Sequence, residues 1–149
     1  MREILFRGKR LDNGMWMEGY YMYHISRTPA PIGDSVKPED EHHLIIFDEF
    51  SDWNMPRGIK YVEVDASTVG QYTGLTDKHG NRIFEGDIIR YNNRQEVVYF
   101  DTSLRIPCFT TGIGFGSSTA SHPYKISARH EVIGNIYDNP ELLGGEKGE

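Results

Sequence analysis

Hydrophobic positions along this chain come in short runs with a period of two, broken by clusters of Gly, Pro, Asn and Asp. Near the start, Ile4, Phe6 and Gly8 alternate with Leu5, Arg7 and Lys9. Asp12-Asn13-Gly14 follows, and Asn and Gly tolerate the positive φ of a tight hairpin turn. Met15 to Tyr23 then carries the aromatic and alternating pattern of a strand. Residues 27–41 hold Pro29, Pro31, Gly33 and Pro38 and predict a loop. His42 to Phe47 and Lys60 to Val64 predict strands on either side of a polar loop at 48–58. Asp65-Ala66-Ser67-Thr68 predicts a single capped helical turn.

The second half continues in the same way. Turns are expected at 76–82, at Glu85-Gly86-Asp87 and at Asn92-Asn93. Strands are expected at Ile83-Phe84, Ile88 to Tyr91, Glu96 to Phe100, Tyr124 to Ala128 and Glu131 to Tyr137. Pro140 sits where a terminal helical turn would begin. No segment sustains a 3.6-residue period over about a dozen residues, so little helix is expected. The pattern predicts a mostly β chain. Residues 1–68 form a hairpin-and-loop subdomain, 69–143 a small SH3-like barrel, and 144–149 a disordered tail.

Composition narrows the function classes. The chain has 149 residues, with nine Tyr, seven Phe and two Trp, which suits a folded β protein rather than a disordered one. The net charge is -6, and acids outnumber bases 22 to 16, which disfavours a general nucleic-acid binder. No apolar stretch is long enough to span a membrane, and the apolar run at Ile4-Leu5-Phe6 is too short for a signal peptide. A single cysteine, Cys108, excludes an intrachain disulfide and suits a reducing cytoplasm.

The candidate chemical motifs each have a plainer reading. His42 and His43 are adjacent, and on a strand they point to opposite faces, so they do not share a metal. His24, His79, His122 and His130 are isolated. Asp48, Glu49 and Asp52 form an acidic group beside Trp53 that reads first as a surface loop. Residues 112–118 are expected to be a loop, and their Gly112, Gly114 and Gly116 lack the Lys-Ser/Thr ending and the following helix of a phosphate loop. Cys108, between Pro107 and Phe109, has no base nearby in sequence. Tyr20, Tyr21, Tyr23, Tyr72, Tyr91 and Tyr99 suit packing or a subunit interface better than base stacking. No metal or cofactor is expected, and no catalytic residue is assigned.

One stretch is more specific: Val69-Gly70-Gln71-Tyr72-Thr73-Gly74-Leu75-Thr76-Asp77-Lys78-His79-Gly80-Asn81-Arg82-Ile83-Phe84-Glu85-Gly86-Asp87-Ile88-Ile89. With Phe6-Arg7-Gly8-Lys9-Arg10, Asn13-Gly14-Met15-Trp16, Glu18-Gly19-Tyr20 and the ending Val132 to Leu143, it resembles the YopX family of phage and prophage proteins. The blocks come in the family's order across nearly the whole chain. Ala66 stands where members often carry a proline, which alters one turn. The resemblance implies a mostly β protein with a barrel-like C-terminal half, encoded by phages or prophages. It implies no reaction and no catalytic residue.

Read physically, most of this block specifies turns, with Asp87 accepting backbone N–H bonds at a bend and Gln71 and Thr73 available for the same task. Gln71, Tyr72, Glu85 and Asp87 are the candidates for a shared binding surface. The leading expectation is a non-enzymatic cytoplasmic binding module that self-associates or holds a phage or host protein. One alternative is a small hydrolytic or nucleotide-directed enzyme using Asp48, Glu49, Asp52, Glu85 or Asp87. The other is weak nucleic-acid binding through Arg2, Arg7, Lys9 and Arg10, with Arg7 and Lys9 on one strand face.

Overall fold

The computed structural model describes residues 1, 3–102, 108–113 (backbone only), 126 and 129–144. Arg2, Gly114, Gly116, His122, the strand expected at 124–128 and the tail after Gly144 lie outside the described residues, apart from Ile126. The chain divides into two compact units. One comprises Ile4–Gly70, the other Met1–Glu3 with Gln71–Glu149.

The unit Ile4–Gly70 holds four antiparallel strands in the order β4-β3-β2-β1. They are β1 (Phe6–Lys9), β2 (Trp16–Ile25), β3 (Glu41–Glu49) and β4 (Gly58–Glu63). The β1–β2 hairpin forms as its turn residues predict. Gly14 takes φ 69, and Asn13 accepts the Met15 N–H at 2.9 Å. β3 is longer than the His42–Phe47 run suggests, because β2 supplies ladder partners back to Glu41 and β4 supplies them out to Glu49. Beyond β4 the chain returns to the first strand. Val64 bridges Arg10, Asp65 N–H donates to Lys9 O at 2.8 Å, and Lys9 N–H donates to Thr68 Oγ1 at 2.9 Å. Asp65 caps the expected turn, now a 3₁₀ turn at Ala66–Thr68, by accepting from Ser67 N–H at 2.9 Å.

Alternation sorts the side chains of this unit onto two faces. Gly8, Gly19, Ile45 and Val64 share the inner face, where Ile45 and Val64 are 0% and 2% exposed. Two glycines set how closely that face packs. A Cβ on Gly8 would stand 2.9 Å from Val64 Cγ2, and one on Gly19 would fall on the Ile46 carbonyl.

The second unit contains β5 (Gly70–Thr76), β6 (Arg82–Phe84), β7 (Asp87–Tyr91), β8 (Arg94–Asp101), β9 (Cys108–Ile113) and β10 (Glu131–Asn135). β5 and β6 form an irregular hairpin, with Gly74 at φ 85 where the register shifts between Tyr72 and Thr76. β10-β7-β8-β9 is an antiparallel sheet. Asn92 at φ 54 makes the tight β7–β8 turn. Ile83, Ile89 and Val98 are completely buried and pack with Val132 and Ile126. Ile88 is also 0% exposed, so β7 is covered on both faces.

Three expectations are revised. Among the described residues the sheets are not closed, so the SH3-like barrel is not confirmed: β9 and β10 are the ends of the sheet described. Gly112, expected in a loop, lies in β9, where it pairs with Val97 across the ladder. The last strand ends at Asn135 instead of Tyr137, because Asn135 Oδ1 accepts the N–H of Tyr137 at 3.0 Å and of Asp138 at 2.9 Å and turns the chain. The turn at Pro140–Leu143 forms as a 3₁₀ turn. No α-helix occurs among the described residues, and no helix is long and apolar enough to cross a membrane.

Gly19→Ala is expected to destabilise the Ile4–Gly70 unit by about 2 kcal/mol or more, because backbone rather than a movable side chain blocks the new methyl. Gly14→Ala, in open space, is expected to cost only the strain of its positive φ, about 1 kcal/mol. Thermal melts of the two variants check the order.

Candidate functional site

The corner formed by β5, β6 and β7 gathers all four residues expected at a binding surface. Glu85 N–H donates to Gln71 O at 2.9 Å, and Glu85 Oε2 accepts from Gln71 N–H at 3.5 Å. The Tyr72 ring lies 5.5 Å from Phe84, with the Arg82 guanidinium 5.8 Å above it. Asp87 Oδ2 accepts from Phe84 N–H at 2.8 Å and closes the bend. Gly86, at φ 84, donates to Val98 O at 2.8 Å and accepts from Ile136 N–H at 2.9 Å, which ties the bend to its neighbours. Tyr72 is 7% exposed and Asp87 1%, while Gln71 and Glu85 are half-buried. Thr73 does what was expected of it and accepts from Leu75 N–H at 3.2 Å.

A second carboxylate organises the hairpin loop that follows β5. Asp77 is 4% exposed. Its Oδ1 accepts from His79 N–H at 2.8 Å and Asn81 N–H at 2.9 Å, and its Oδ2 from Asn81 Nδ2 at 3.2 Å and Val132 N–H at 3.1 Å. Burial alone would push its pKa up, but these bonds outweigh it and hold the group at about 2, below its ordinary 3.8. Next to it, Glu131 meets Lys78 at 3.0 Å, Arg90 at 3.0 Å and His79 at 3.3 Å. Bonds from Lys78 and then Arg90, with a smaller one from His79, hold Glu131 at about 2 against partial burial. In the sequence Asp77 reads only as a loop residue and His79 as isolated. Their partners lie more than fifty positions away, at Glu131 and Val132.

The Ile4–Gly70 unit presents a different feature. Its outer face carries a cross-strand row, Tyr20–Ile46–Tyr61, set by the registers of β2, β3 and β4. Tyr20 is 63% exposed, Tyr61 68%, and Met22 and Ile59 on the same face 44% and 77%. Trp16 shares that face, with the Arg7 guanidinium 4.6 Å and the Lys9 ammonium 5.6 Å from its ring centroid. Arg7 and Lys9 do share one face, while Arg10 turns to Asp12 at 2.5 Å. Tyr20 was among the tyrosines singled out in sequence. Ile59 and Tyr61 were missed, although the alternation of residues 60–64 already set Tyr61 apart from Lys60.

The remaining candidates are dispersed. His42 and His43 point to opposite faces, His42 Nδ1 to Glu63 Oε1 at 2.8 Å and His43 Nδ1 to the Tyr21 hydroxyl at 2.7 Å. Asp48 and Glu49 alternate on β3, Glu49 is paired with Lys60, and Asp52 Oδ1 accepts from Trp53 N–H at 2.7 Å. Among the described residues no group of three or more His, Cys, Asp or Glu is placed to hold a metal ion.

Comparison with known proteins agrees with the residue pattern. The family model described as YopX protein matches residues 5–144, and the chain belongs to that family. No curated protein matches the chain.

Because the folded pKa of Asp77 is depressed, its contribution to stability is full above about pH 4 and is lost as pH falls through about 2. Asp77→Ala is expected to destabilise its unit by about 3 kcal/mol at neutral pH, since several buried donors lose their acceptor together. The variant's melting temperature should also fall less steeply than wild type between pH 4 and pH 2, which melts across that range check.

Proposed function

We propose that this YopX-family chain is a non-enzymatic binding module, an accessory protein of a phage or prophage that works by holding another protein in the bacterial cytoplasm. The observation that carries this reading is the outer face of the Ile4–Gly70 unit, where Tyr20, Met22, Ile59 and Tyr61 stay exposed on regular strands. Exposed aromatic and long apolar side chains on a rigid sheet suit protein contact, where Tyr and Met are enriched. The carboxylates that an enzyme would need support the same reading. Asp87 and Asp77 serve backbone N–H groups, and Glu49 serves Lys60. Gln71 and Glu85 offer a further half-exposed patch at the β5–β7 corner. The phage setting rests on the family resemblance, and the cytoplasm on the single cysteine.

The test is capture from prophage-induced cells with tagged wild type and with Tyr20→Ser/Met22→Ser, each with and without nuclease. A protein that survives nuclease, and whose recovery falls roughly ten-fold or more with the variant, is the expected result. The melting temperature should fall by only a few degrees, since Tyr20 is mostly and Met22 nearly half exposed. Equal recovery by both proteins, or recovery that vanishes with nuclease, would sink the reading.

A further inference from the structure

The edge strand β4 has its own complement. In an antiparallel ladder, alternate residues turn N–H and C=O toward the same neighbour. Val64 N–H donates to His43 O at 2.8 Å, so Val62, Lys60 and Gly58 face β3 across the pairs set by the register. Ile59, Tyr61 and Glu63 therefore face away from β3. Glu63 O is taken by Leu11 N–H at 3.0 Å. Ile59 and Tyr61 are left on the open edge of the strand order, with no strand beside them among the described residues. Such an edge is a template for another strand. Lys60, the charge that would guard it, is instead drawn back onto Glu49.

We propose that β4 pairs antiparallel with β4 of a second copy of this chain, with Ile59 opposite Tyr61 of that copy. This inference rests on the binding reading and names one surface and one partner for it. In this register Ile59 and Tyr61 exchange N–H···O=C bonds in both directions with their counterparts, using the backbone groups the edge leaves over. Their exposed side chains form aliphatic–aromatic cross-strand pairs on the outer face, and the Tyr20–Ile46–Tyr61 row runs on into the second copy.

Charge fits the same register. Arg57, just before β4, comes beside Glu63 of the second copy, whose Oε1 already meets its own His42, and by symmetry the contact forms at both ends. Leu11 already occupies the backbone position opposite Glu63, so this contact is made by side chains. The central Lys60 residues meet each other, but each brings its own Glu49, and the local charge cancels. At each end the exposed Leu11 of one copy also meets the segment containing Met55 of the other, 61% and 59% exposed. These apolar ends supply area that a short ladder lacks against the roughly 800 Å² per partner of a standard interface.

The experiment is light-scattering mass measurement on the full chain at about 100 µM, where a complex of micromolar Kd is mostly formed. Wild type is expected as a dimer. Ile59→Pro removes an outward N–H and the exposed Ile59 side chain but no bond to β3, and should give a monomer whose circular dichroism spectrum matches wild type. Arg57→Glu and Glu63→Arg should each weaken dimerisation roughly ten-fold, and the double variant Arg57→Glu/Glu63→Arg should recover it. A monomeric wild type, a dimer that survives Ile59→Pro, or a double variant no better than either single one overturns the proposal. If wild type is monomeric yet still captures another protein through the Tyr20 face, the edge pairing falls and the binding reading stands.

Discussion

Every backbone N–H and C=O removed from water needs a partner, and this chain meets that demand without an α-helix among its described residues. Helices satisfy their backbones locally. Strands do so only across a ladder, and every turn and edge leaves groups over. Much of what is distinctive here is how those leftover groups are satisfied. Side-chain oxygens do it repeatedly: Asp65 for Ser67, Asp77 for His79, Asn81 and Val132, Asp87 for Phe84, Asn135 for Tyr137 and Asp138. These acceptors outperform water because they are fixed, and ionised carboxylates are the stronger ones.

This use of carboxylates sets two of the acids apart from catalytic duty. A catalytic acid or base must meet substrate, with a pKa near the working pH. Asp77 and Glu131 are displaced the other way, to about 2, by bonds that already occupy their oxygens. Such groups stay ionised and committed at neutral pH. Their displacement reports structural duty, so a shifted pKa here does not point to an active site.

Local features were legible in the residues. Asn13-Gly14, Asn92, Gly80 and the Glu85-Gly86-Asp87 bend make the turns their conformational freedom suggests, with Gly80 at φ 83 and Gly86 at φ 84. The alternation in Lys60 to Val64 marked a strand, and Asp65 marked a capped turn. Sheet closure was not legible. Strand number and spacing are shared by barrels and open sheets, and the difference lies in which edges pair across long separations. The Asp77–Val132 and Lys78–Glu131 contacts were hidden for the same reason, since nothing local to residue 77 says which strand will pass beside it. β9 was obscured because Gly112 reads as loop punctuation, while its place in the ladder depends on Val97.

The outer edge of β4 is one place where backbone groups are left to water within one copy. Natural edge strands are usually blunted by a charge, a proline, a bulge or a covering segment. Here the chain covers one end, with Leu11 beside Glu63, and leaves the middle, where Ile59 and Tyr61 combine outward backbone groups with exposed apolar side chains. The segment is complementary to itself when turned end for end, with the opposite charges Arg57 and Glu63 three residues on either side of Lys60 and with Ile59 and Tyr61 between them. Two-fold association uses that complementarity twice, once at each end, whereas a strand from an unrelated protein has no reason to match it. The spacing therefore favours a second copy over a foreign peptide, and it leaves the Tyr20 and Met22 face available to a different protein.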